Sequence, residues 1–343
     1  MVDYLSYNFN SMIPGNKQLA VKKALRAAFN VDAFDSVQQL TKGLSNALVF
    51  KIIVHENPYL LRVVTRTDTL ADPSFYYGCM KVAAEKKVAP RIHYLSINER
   101  VSITDFITEQ PFLITAAKEL MPHLLRKLHA LPKFPFRINY FETMEKFILQ
   151  FRSTKVLPEN EMKDLIEIYQ RIAHVYPQHD VDNWVSCHND SKPENIIFDG
   201  QRPWFIDWES AFLNDLYLDL AIVANFIVFN EKDEDAYLEA YFREALDEYK
   251  YARFFLMQEI LHFYYCIFLI VFYKGEKPID ITNTVKRSFR EFHNGIWNGE
   301  INLAETATKL EYAILHLHQF RMKAETLRFE ESLQIVSRHS QFY

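Results

Sequence analysis

The chain has 343 residues, 49% of them hydrophobic and 15% aromatic, with 7 glycines and a formal net charge of −5. This composition predicts a packed globular chain and excludes an intrinsically disordered one, which needs low hydrophobicity and high net charge. The 39 basic and 44 acidic residues are spread without long single-sign blocks, so no clustered basic face predicts nucleic acid as a partner.

The first third of the chain predicts a small β-rich domain. Apolar residues at helical spacing predict a helix over 17–29. Two β-rich runs follow around the turn GLSN, and Pro58 begins a third strand. A helix over about 73–87 and two strands in RIHYL and VSITDFI complete a block of five strands and one main helix. This block ends near Thr108.

Beyond this block the pattern changes to long helices. Helical spacing runs over 112–131, 140–154 and 159–175, and from Asp215 onward the chain is almost all helix. A strand-rich interlude at 184–207 interrupts the helices. The sequence therefore predicts an α+β fold with a small β-rich domain followed by a larger helical one.

Several features predict a soluble protein of the cytoplasm. Three widely spaced cysteines form no CxxC pair, which argues against a disulfide framework or a zinc site. The first residues lack the basic start and apolar core of a secretory signal. The apolar run 254–273 contains Gln258, Glu259 and His262, and its uninterrupted part is shorter than a bilayer requires. We interpret this run as a buried helix and expect no membrane span.

The clearest chemistry lies in the strand-rich interlude, in the run HNDSKPEN that begins at His188 and in Asp207. Transfer of a γ-phosphoryl group needs a carboxylate that orients the acceptor hydroxyl and takes its proton. It also needs an amide oxygen and a second carboxylate that hold Mg²⁺ on the phosphates. Asp190, Asn195 and Asp207 supply this set. Two short strands follow Asn195, and they are expected to bring Asp207 back beside Asp190 and Asn195.

These segments resemble a known family. The run from His188 to Asn195 follows H-x-D-x-x-x-x-N, and the later segments WFIDWE and DLYLDLA follow it at the expected places. The chain is thus similar to the aminoglycoside phosphotransferase and choline kinase superfamily. That resemblance implies ATP and Mg²⁺ as cofactors, Asp190 as the catalytic base, and Asn195 and Asp207 as Mg²⁺ ligands. It also implies a structural role for Asp219, at the start of a helix behind the loop.

The resemblance also implies a fold and its division. The expected architecture is a bilobal protein-kinase-like fold. Residues 1–108 form an antiparallel, nucleotide-binding N-terminal lobe with one main helix, preceded by the helix 17–29. Residues 109–343 form a mostly helical C-terminal lobe. In this division the catalytic loop 187–195 and the metal segment 204–209 belong to the C-terminal lobe.

Further residues are assigned to the nucleotide. The GLSN turn matches the family's G-x-[ST]-N, whose backbone N–H groups can fold over phosphates. A buried arginine on an apolar strand needs an anion, and its planar fork suits the α- and β-phosphates. By resemblance, a lysine two residues after the base contacts the transferred phosphate, and the inter-lobe connection binds adenine. The assigned residues are Gly43, Ser45, Asn46, Arg62, Asp105, Phe106, Ile107 and Lys192.

The sequence departs from the family pattern at the acid that normally pairs with the arginine of the third strand, here Arg62. In the family, the helix that follows this strand normally supplies a Glu early in the helix. Here Glu85 lies almost at the helix end, and Asp72 precedes the helix. The sequence alone leaves open which of the two, if either, pairs with Arg62.

A small hydroxylated acceptor is expected, because no A-P-E segment follows Asp207 and the nucleotide loop has one glycine. Choline or ethanolamine would need an aromatic cage with a nearby acid, for which Trp208, Glu209 and Asp215 are the candidates, with aromatic residues 263–265 on a later helix. Amino-sugars such as aminoglycosides would instead need carboxylates such as those in 231–235. A non-catalytic nucleotide-binding pseudokinase and a protein-directed kinase remain as alternatives.

Overall fold

A computed structural model gives the fold and describes residues 12–40, 47–67, 72–273, 279 and 281–340. The described residues divide into two compact units. The first unit comprises those of 1–112 and 194–211, and the second comprises those of 113–193 and 212–343. Three residues assigned to the phosphates, Gly43, Ser45 and Asn46, lie outside the described residues.

The first unit is built around one antiparallel sheet. Its elements are helix α1 (Gly15–Phe29), strands β1 (Ser36–Leu40), β2 (Ala47–Val54) and β3 (Asn57–Val64), helix α2 (Tyr77–Glu85), and strands β4 (Ile92–Ser96) and β5 (Val101–Asp105). The strand order is β1-β2-β3-β5-β4. Val21 and Leu25 on the apolar side of α1 share one buried cluster with Phe50, Leu61 and Ile103 of the sheet. The predicted block of five strands and one main helix is therefore present.

A small hairpin completes the first unit. It consists of strands β7 (Ile196–Phe198) and β8 (Pro203–Phe205), paired antiparallel. Backbone hydrogen bonds join it to the rest of the unit, from the N–H of Phe205 to the carbonyl of Val88 at 3.0 Å and from the N–H of Gln110 to the carbonyl of Phe198 at 2.7 Å. The division into lobes that the sequence predicts places this hairpin in the C-terminal lobe instead. That division, as a statement about function, stays a prediction.

The second unit is mostly helical. Its helices are α3 (Ile114–His129), α4 (Tyr140–Thr154), α5 (Glu159–Val175), α6 (Leu216–Ile227), α7 (Glu231–Phe242), α8 (Glu248–Val271), α9 (Ile281–Thr284), α10 (Phe289–Trp297), α11 (Thr306–Ala324) and α12 (Leu327–Ser340). Strands β6 (Trp184–Cys187) and β9 (Phe212–Asp215) pair antiparallel just before α6. Helix α6 is buried along its whole length, so it lies in the core of this unit.

Helix α8 is the apolar helix that the sequence predicts as buried. Among the described residues it alone is long and apolar enough to cross a membrane by length and composition. However, 72% of its most apolar window is buried inside the chain. Every residue from Ala252 to Phe263 is buried, and this run includes charged and polar side chains. The helix is thus a core element of the second unit.

A buried carboxyl group on α8 is expected to make stability depend on pH. Glu259 is fully buried, and its cationic partner is the Nζ of Lys323 at 3.4 Å. Burial outweighs the attraction of Lys323 and raises the pKa of Glu259 to about 7 from its ordinary 4.5. A carboxyl whose pKa is higher in the folded chain favours folding below its unfolded pKa. That contribution is lost as the pH rises through the folded pKa.

Glu259→Gln is therefore expected to raise the free energy of unfolding by about 1–3 kcal/mol near pH 8, with a gain that shrinks toward pH 5. Urea unfolding at both pH values measures the difference. The matched control is Glu325→Gln, because Glu325 is exposed at the end of α11. Equal stability of wild type and Glu259→Gln near pH 8 would contradict the prediction.

Candidate active site

One buried carboxylate fixes the loop that follows β6. Asp219 lies fully buried in the first turn of α6. Its Oδ2 accepts the backbone N–H of His188 at 2.8 Å, and its Oδ1 accepts the backbone N–H of Asn189 at 2.8 Å. The same Oδ1 accepts the hydroxyl of Ser191 at 2.9 Å. These bonds hold the loop on both sides of Asp190, in the structural role that the resemblance implies for Asp219.

A histidine of α3 supports this carboxylate from behind. The Nε2 of His129 lies 3.3 Å from Oδ2 of Asp219, and its Nδ1 lies 2.7 Å from the hydroxyl of Tyr241. Burial raises the pKa of Asp219, but His129 and the hydrogen-bond donors of the loop outweigh burial and lower that pKa below its usual value. Asp219 therefore stays an ionised acceptor inside the core.

The residue before the predicted base has a left-handed backbone. Asn189 has φ 61°, a conformation that Asn tolerates better than most residues. Its side chain accepts the amide of Asn214 at 2.8 Å and donates to the carbonyl of Phe212 at 3.3 Å, which holds the turn in place. The next side chain, Asp190, is 30% exposed and forms an ion pair with Lys192 at 3.0 Å. The loop thus presents the carboxylate of Asp190 outside the core of its unit.

The hairpin β7–β8 brings the two predicted Mg²⁺ ligands together, as expected from the sequence. The backbone N–H of Ile206 donates to the carbonyl of Asn195 at 3.0 Å, so Asp207 follows directly on a residue bonded to Asn195. Asp207 has φ 57°, uncommon for a residue other than glycine, and its side chain is 35% exposed. An amide oxygen and a carboxylate are hard oxygen donors of the kind that Mg²⁺ takes. These residues therefore fit the ion.

Arg62 on β3 is buried against two carboxylates of the same unit. Its guanidinium forms an ion pair with Glu209, and its Nη2 lies 3.4 Å from Oδ1 of Asp207. The residue is 9% exposed. Burial disfavours its charge, but Asp207 and Glu209 help to hold the pKa of Arg62 above its ordinary value. The cation assigned to the phosphates is therefore held charged beside the metal segment.

The acid that pairs with Arg62 is the functional feature that the sequence interpretation missed. Of the two acids considered, Asp72 accepts the backbone N–H of Ser74 at 3.0 Å, and Glu85 is exposed at the end of α2. The partner is Glu209 instead, two residues after Asp207. Burial is the main reason that the pKa of Glu209 is raised even beside the guanidinium. The only sequence signal was a second acid in the segment IDWE.

The connection assigned to adenine begins with Asp105, the last residue of β5. The carboxylate of Asp105 is hydrogen-bonded to the Nε2 of His93 at 2.7 Å, and its backbone N–H donates to the carbonyl of Arg91 at 2.9 Å. The ring of Phe106 lies 4.6 Å from the Nζ of Lys51. Ile107 is half-buried. The roles of these residues in adenine binding stay predictions.

Two residues considered for the acceptor have contacts within the chain. Trp208 is 1% exposed, and its Nε1 donates to the carbonyl of Phe205 at 3.3 Å. Asp215 caps α6 by accepting the backbone N–H of Tyr217 at 2.9 Å, and it accepts Nη2 of buried Arg253 at 2.6 Å. Both side chains are thus hydrogen-bonded within the chain, and their predicted contact with an acceptor stays a prediction.

One aromatic side chain of α8 lies within electrostatic reach of Asp190. Burial raises the pKa of Tyr264 to about 12, and the negative charge of the Asp190 carboxylate adds to this rise. The ring of Tyr264 lies 5.2 Å from that of Tyr140 and 5.3 Å from that of Phe268, centroid to centroid. Its neighbour Phe263 is fully buried in the core. Tyr264 therefore belongs to an aromatic cluster of α4 and α8, and it interacts electrostatically with Asp190.

Comparison with known proteins gives a family match and several relatives. A model of the family described as "Phosphotransferase enzyme family" matches residues 36–255. Protein LicA of Haemophilus influenzae is 29% identical over 122 residues, which are 34% of this chain and 44% of the relative. The chain thus matches less than half the length of this curated relative.

Two solved structures resemble the fold over most of the chain. A choline/ethanolamine kinase family protein from Mesorhizobium loti is 20% identical, with a TM-score of 0.68 over 94% of this chain and 99% of that chain. A streptomycin–ATP–APH(2")-IIa ternary complex is 16% identical, with a TM-score of 0.54 over 75% of this chain and 92% of that one. The predicted α+β protein-kinase-like fold is confirmed.

Proposed function

Because the chain belongs to the phosphotransferase enzyme family, we propose that it transfers the γ-phosphate of ATP, with Mg²⁺, to the hydroxyl of a small amino-alcohol such as choline or ethanolamine. The observation that carries the proposal is the loop that Asp219 anchors on both sides of Asp190, which holds the Asp190 carboxylate outside the core of its unit. A base for the hydroxyl and an aromatic face for the cationic nitrogen are what such an acceptor requires.

In the proposed reaction Asp190 acts on the acceptor. Its carboxylate accepts a hydrogen bond from the acceptor hydroxyl and takes the proton as the oxygen bonds to the γ-phosphorus. The bond from that phosphorus to the β,γ-bridging oxygen breaks, and ADP leaves. Lys192, whose Nζ lies 3.0 Å from Asp190, is assigned the contact with the transferred phosphate.

The α- and β-phosphates and Mg²⁺ are assigned to side chains of the first unit. Arg62 binds the α- and β-phosphates, held charged and oriented by Glu209 and Asp207. Asn195 and Asp207 hold Mg²⁺, which when bound neutralises charge on the phosphates. The solved ATP complex of a protein with this fold supports the choice of nucleotide.

The acidic segment considered for amino-sugars favours the amino-alcohol instead. Its carboxylates, at the start of α7, have partners inside the second unit. Asp233 forms an ion pair with Lys118 at 2.8 Å, and Glu234 is buried in an ion pair with Arg328. Asp235 accepts the hydroxyl of Tyr251 at 2.8 Å. These acids hold the fold together, whereas Tyr264, on which the Asp190 carboxylate acts electrostatically, is aromatic.

An acceptor panel tests the proposal. Choline, ethanolamine and an aminoglycoside are compared by ADP release with ATP and Mg²⁺, and the phosphorylated product is identified by mass spectrometry. We expect turnover of the amino-alcohols, with kcat/KM for choline about 3- to 30-fold above that for ethanolamine, since a quaternary ammonium meets an aromatic face at lower desolvation cost.

The panel needs a control for contaminating ATPase, and Asp190→Asn protein prepared in parallel supplies it. Replacing the ring in Tyr264→Leu should lower kcat/KM for choline by about tenfold, because the cation–π contact is lost. Turnover of the aminoglycoside together with none of either amino-alcohol would overturn the assignment of the acceptor. ATP-dependent phosphorylation of a protein alone would do the same.

A further inference from the structure

Asn214 on strand β9 is a buried amide that bonds to the loop carrying Asp190. The residue is 7% exposed, and β9 pairs antiparallel with β6, the strand that leads into this loop. Its Nδ2 donates to Oδ1 of Asn189 at 2.8 Å, and its Oδ1 accepts the backbone N–H of Asp215 at 2.8 Å. Asn214 therefore links the backbone at the end of β9 to the residue directly before Asp190.

Backbone groups fix which end of each of the two amides is the oxygen. A backbone N–H bonds only to an acceptor, so the N–H of Asp215 identifies Oδ1 of Asn214. The carbonyls of Phe212 at 3.3 Å and of Cys187 at 3.4 Å identify Nδ2 of Asn189 in the same way. The bond between the two side chains therefore has one polarity, with Asn214 as the donor.

Asn189 is thus held at two places. Its backbone N–H donates to Oδ1 of Asp219 at 2.8 Å, while its side chain accepts the amide of Asn214. Its φ of 61° lies in the left-handed region, which costs free energy for a residue with a side chain. Glycine adopts this conformation without that cost. The bond from Asn214 therefore supports a strained backbone conformation.

The conformation of Asn189 sets the direction of the next side chain. Because the peptide unit is rigid, a change in ψ of Asn189 turns the plane that leads to Asp190 and moves its carboxylate. The side chain of Asp190 is 30% exposed, so its position depends strongly on the backbone that carries it. A base must lie within hydrogen-bond reach of the proton it takes, and a displacement of about 1 Å can cost about 100-fold in rate.

The other end of this chain of hydrogen bonds is fixed in the core. The carboxylate of Asp215 accepts Nη2 of Arg253 at 2.6 Å and the hydroxyl of Tyr176 at 3.0 Å. Arg253 is fully buried on α8, and Tyr176 is the C-terminal cap of α5. Asn214 is therefore bonded to a residue that two helices of the second unit hold in place.

We propose that Asn214 is a positioning residue for Asp190 and acts through the side chain of Asn189. The amide of Asn214 holds Asn189 in its left-handed conformation, and this conformation aims the Asp190 carboxylate at the acceptor hydroxyl. In this role Asn214 contacts neither the acceptor nor ATP. The inference rests on the proposed function, since that function makes Asp190 the base.

A double-mutant cycle with glycine at the left-handed position tests the inference. Asn214→Ala should lower kcat about 10- to 50-fold and change KM for ATP by less than about threefold, because the base moves and the phosphate ligands do not. Asn189→Gly alone should keep at least about a fifth of the wild-type kcat. In the Asn189→Gly background, Asn214→Ala should lower kcat by less than about threefold, since glycine needs no side-chain bond to adopt this φ.

Two further variants separate positioning from folding. Asn225→Ala removes another buried asparagine of the same unit, on α6, and should lower stability to urea while leaving kcat within about twofold. Asn214→Ser keeps a hydroxyl for the N–H of Asp215 but is too short to reach Asn189. It should therefore lower kcat as Asn214→Ala does, and it replaces that variant in the cycle where alanine prevents folding.

The cycle also distinguishes this inference from the proposed function. Equal losses of kcat from Asn214→Ala in the wild-type and Asn189→Gly backgrounds, or no loss in the first, would overturn the positioning role and leave the amino-alcohol kinase in place. Coupled losses measured with an aminoglycoside, without turnover of choline or ethanolamine, would support the positioning role and reject the assigned acceptor. A wild-type chain that phosphorylates no acceptor would reject both.

Discussion

Asp190→Asn is expected to lower kcat by about 10²- to 10⁴-fold, while KM for ATP changes by less than about threefold. The amide keeps the shape of the side chain but cannot take the proton of the acceptor hydroxyl. The α- and β-phosphates are assigned to Arg62 of the first unit, whereas Asp190 belongs to the second. ADP release with the best acceptor and a separate ATP titration measure the two effects.

The loop itself should survive this substitution. Its anchors include the backbone N–H groups of His188 and Asn189 and the hydroxyl of Ser191, which are bonded to Asp219, and the substitution at Asp190 leaves these bonds in place. The ion pair with Lys192 is partly exposed, and such pairs contribute at most about 1 kcal/mol. Thermal unfolding should therefore differ little from wild type, which separates a chemical effect from misfolding.

The control for the first prediction is Asp182→Asn. Asp182 is an exposed acid shortly before β6 in the same unit, so its loss should leave kcat within about twofold. If Asp190→Asn keeps more than a tenth of the wild-type kcat, another group takes the proton and the assigned base is wrong. Loss of activity in both variants would point to damage of the unit instead.

Local patterns in the sequence predicted the parts of the site that are close in the chain. The run from His188 to Asn195 and the return through β7 and β8 to Asp207 involve at most twenty residues, and strand and turn signals are sufficient to trace them. The buried helix α8 also followed from composition alone. In contrast, strand β9 was missed, because its four residues follow the metal segment without a turn signal.

Contacts between distant parts of the chain could not be predicted from one sequence. Arg62 and Glu209 are separated by 147 positions in the sequence. They meet because the hairpin β7–β8 is bonded to the rest of the first unit. Tyr264 interacts electrostatically with Asp190 although α8 lies far along the chain from the loop. Helical spacing alone could not tell that Phe263 is core and Tyr264 is half-buried.

The second large effect is expected for Asp207→Asn. An amide at this position is a weaker Mg²⁺ ligand than a carboxylate, so kcat should fall by about 10²- to 10³-fold, and half-maximal activity should need at least about tenfold more Mg²⁺. Titration of activity with Mg²⁺ at saturating ATP measures both changes. Chelation of Mg²⁺ should abolish turnover in the wild type in the same assay.

Glu209→Gln is the control that separates metal binding from support of Arg62. Both carboxylates form ion pairs with the same guanidinium, and Glu209 is the closer of the two, since Asp207 lies at 3.4 Å. Loss of the Glu209 charge leaves a buried cation less well held, so KM for ATP should rise about tenfold. Its Mg²⁺ titration should match wild type. If both variants shift the Mg²⁺ titration equally, Glu209 belongs to the metal site. If neither does, Asp207 is not a ligand.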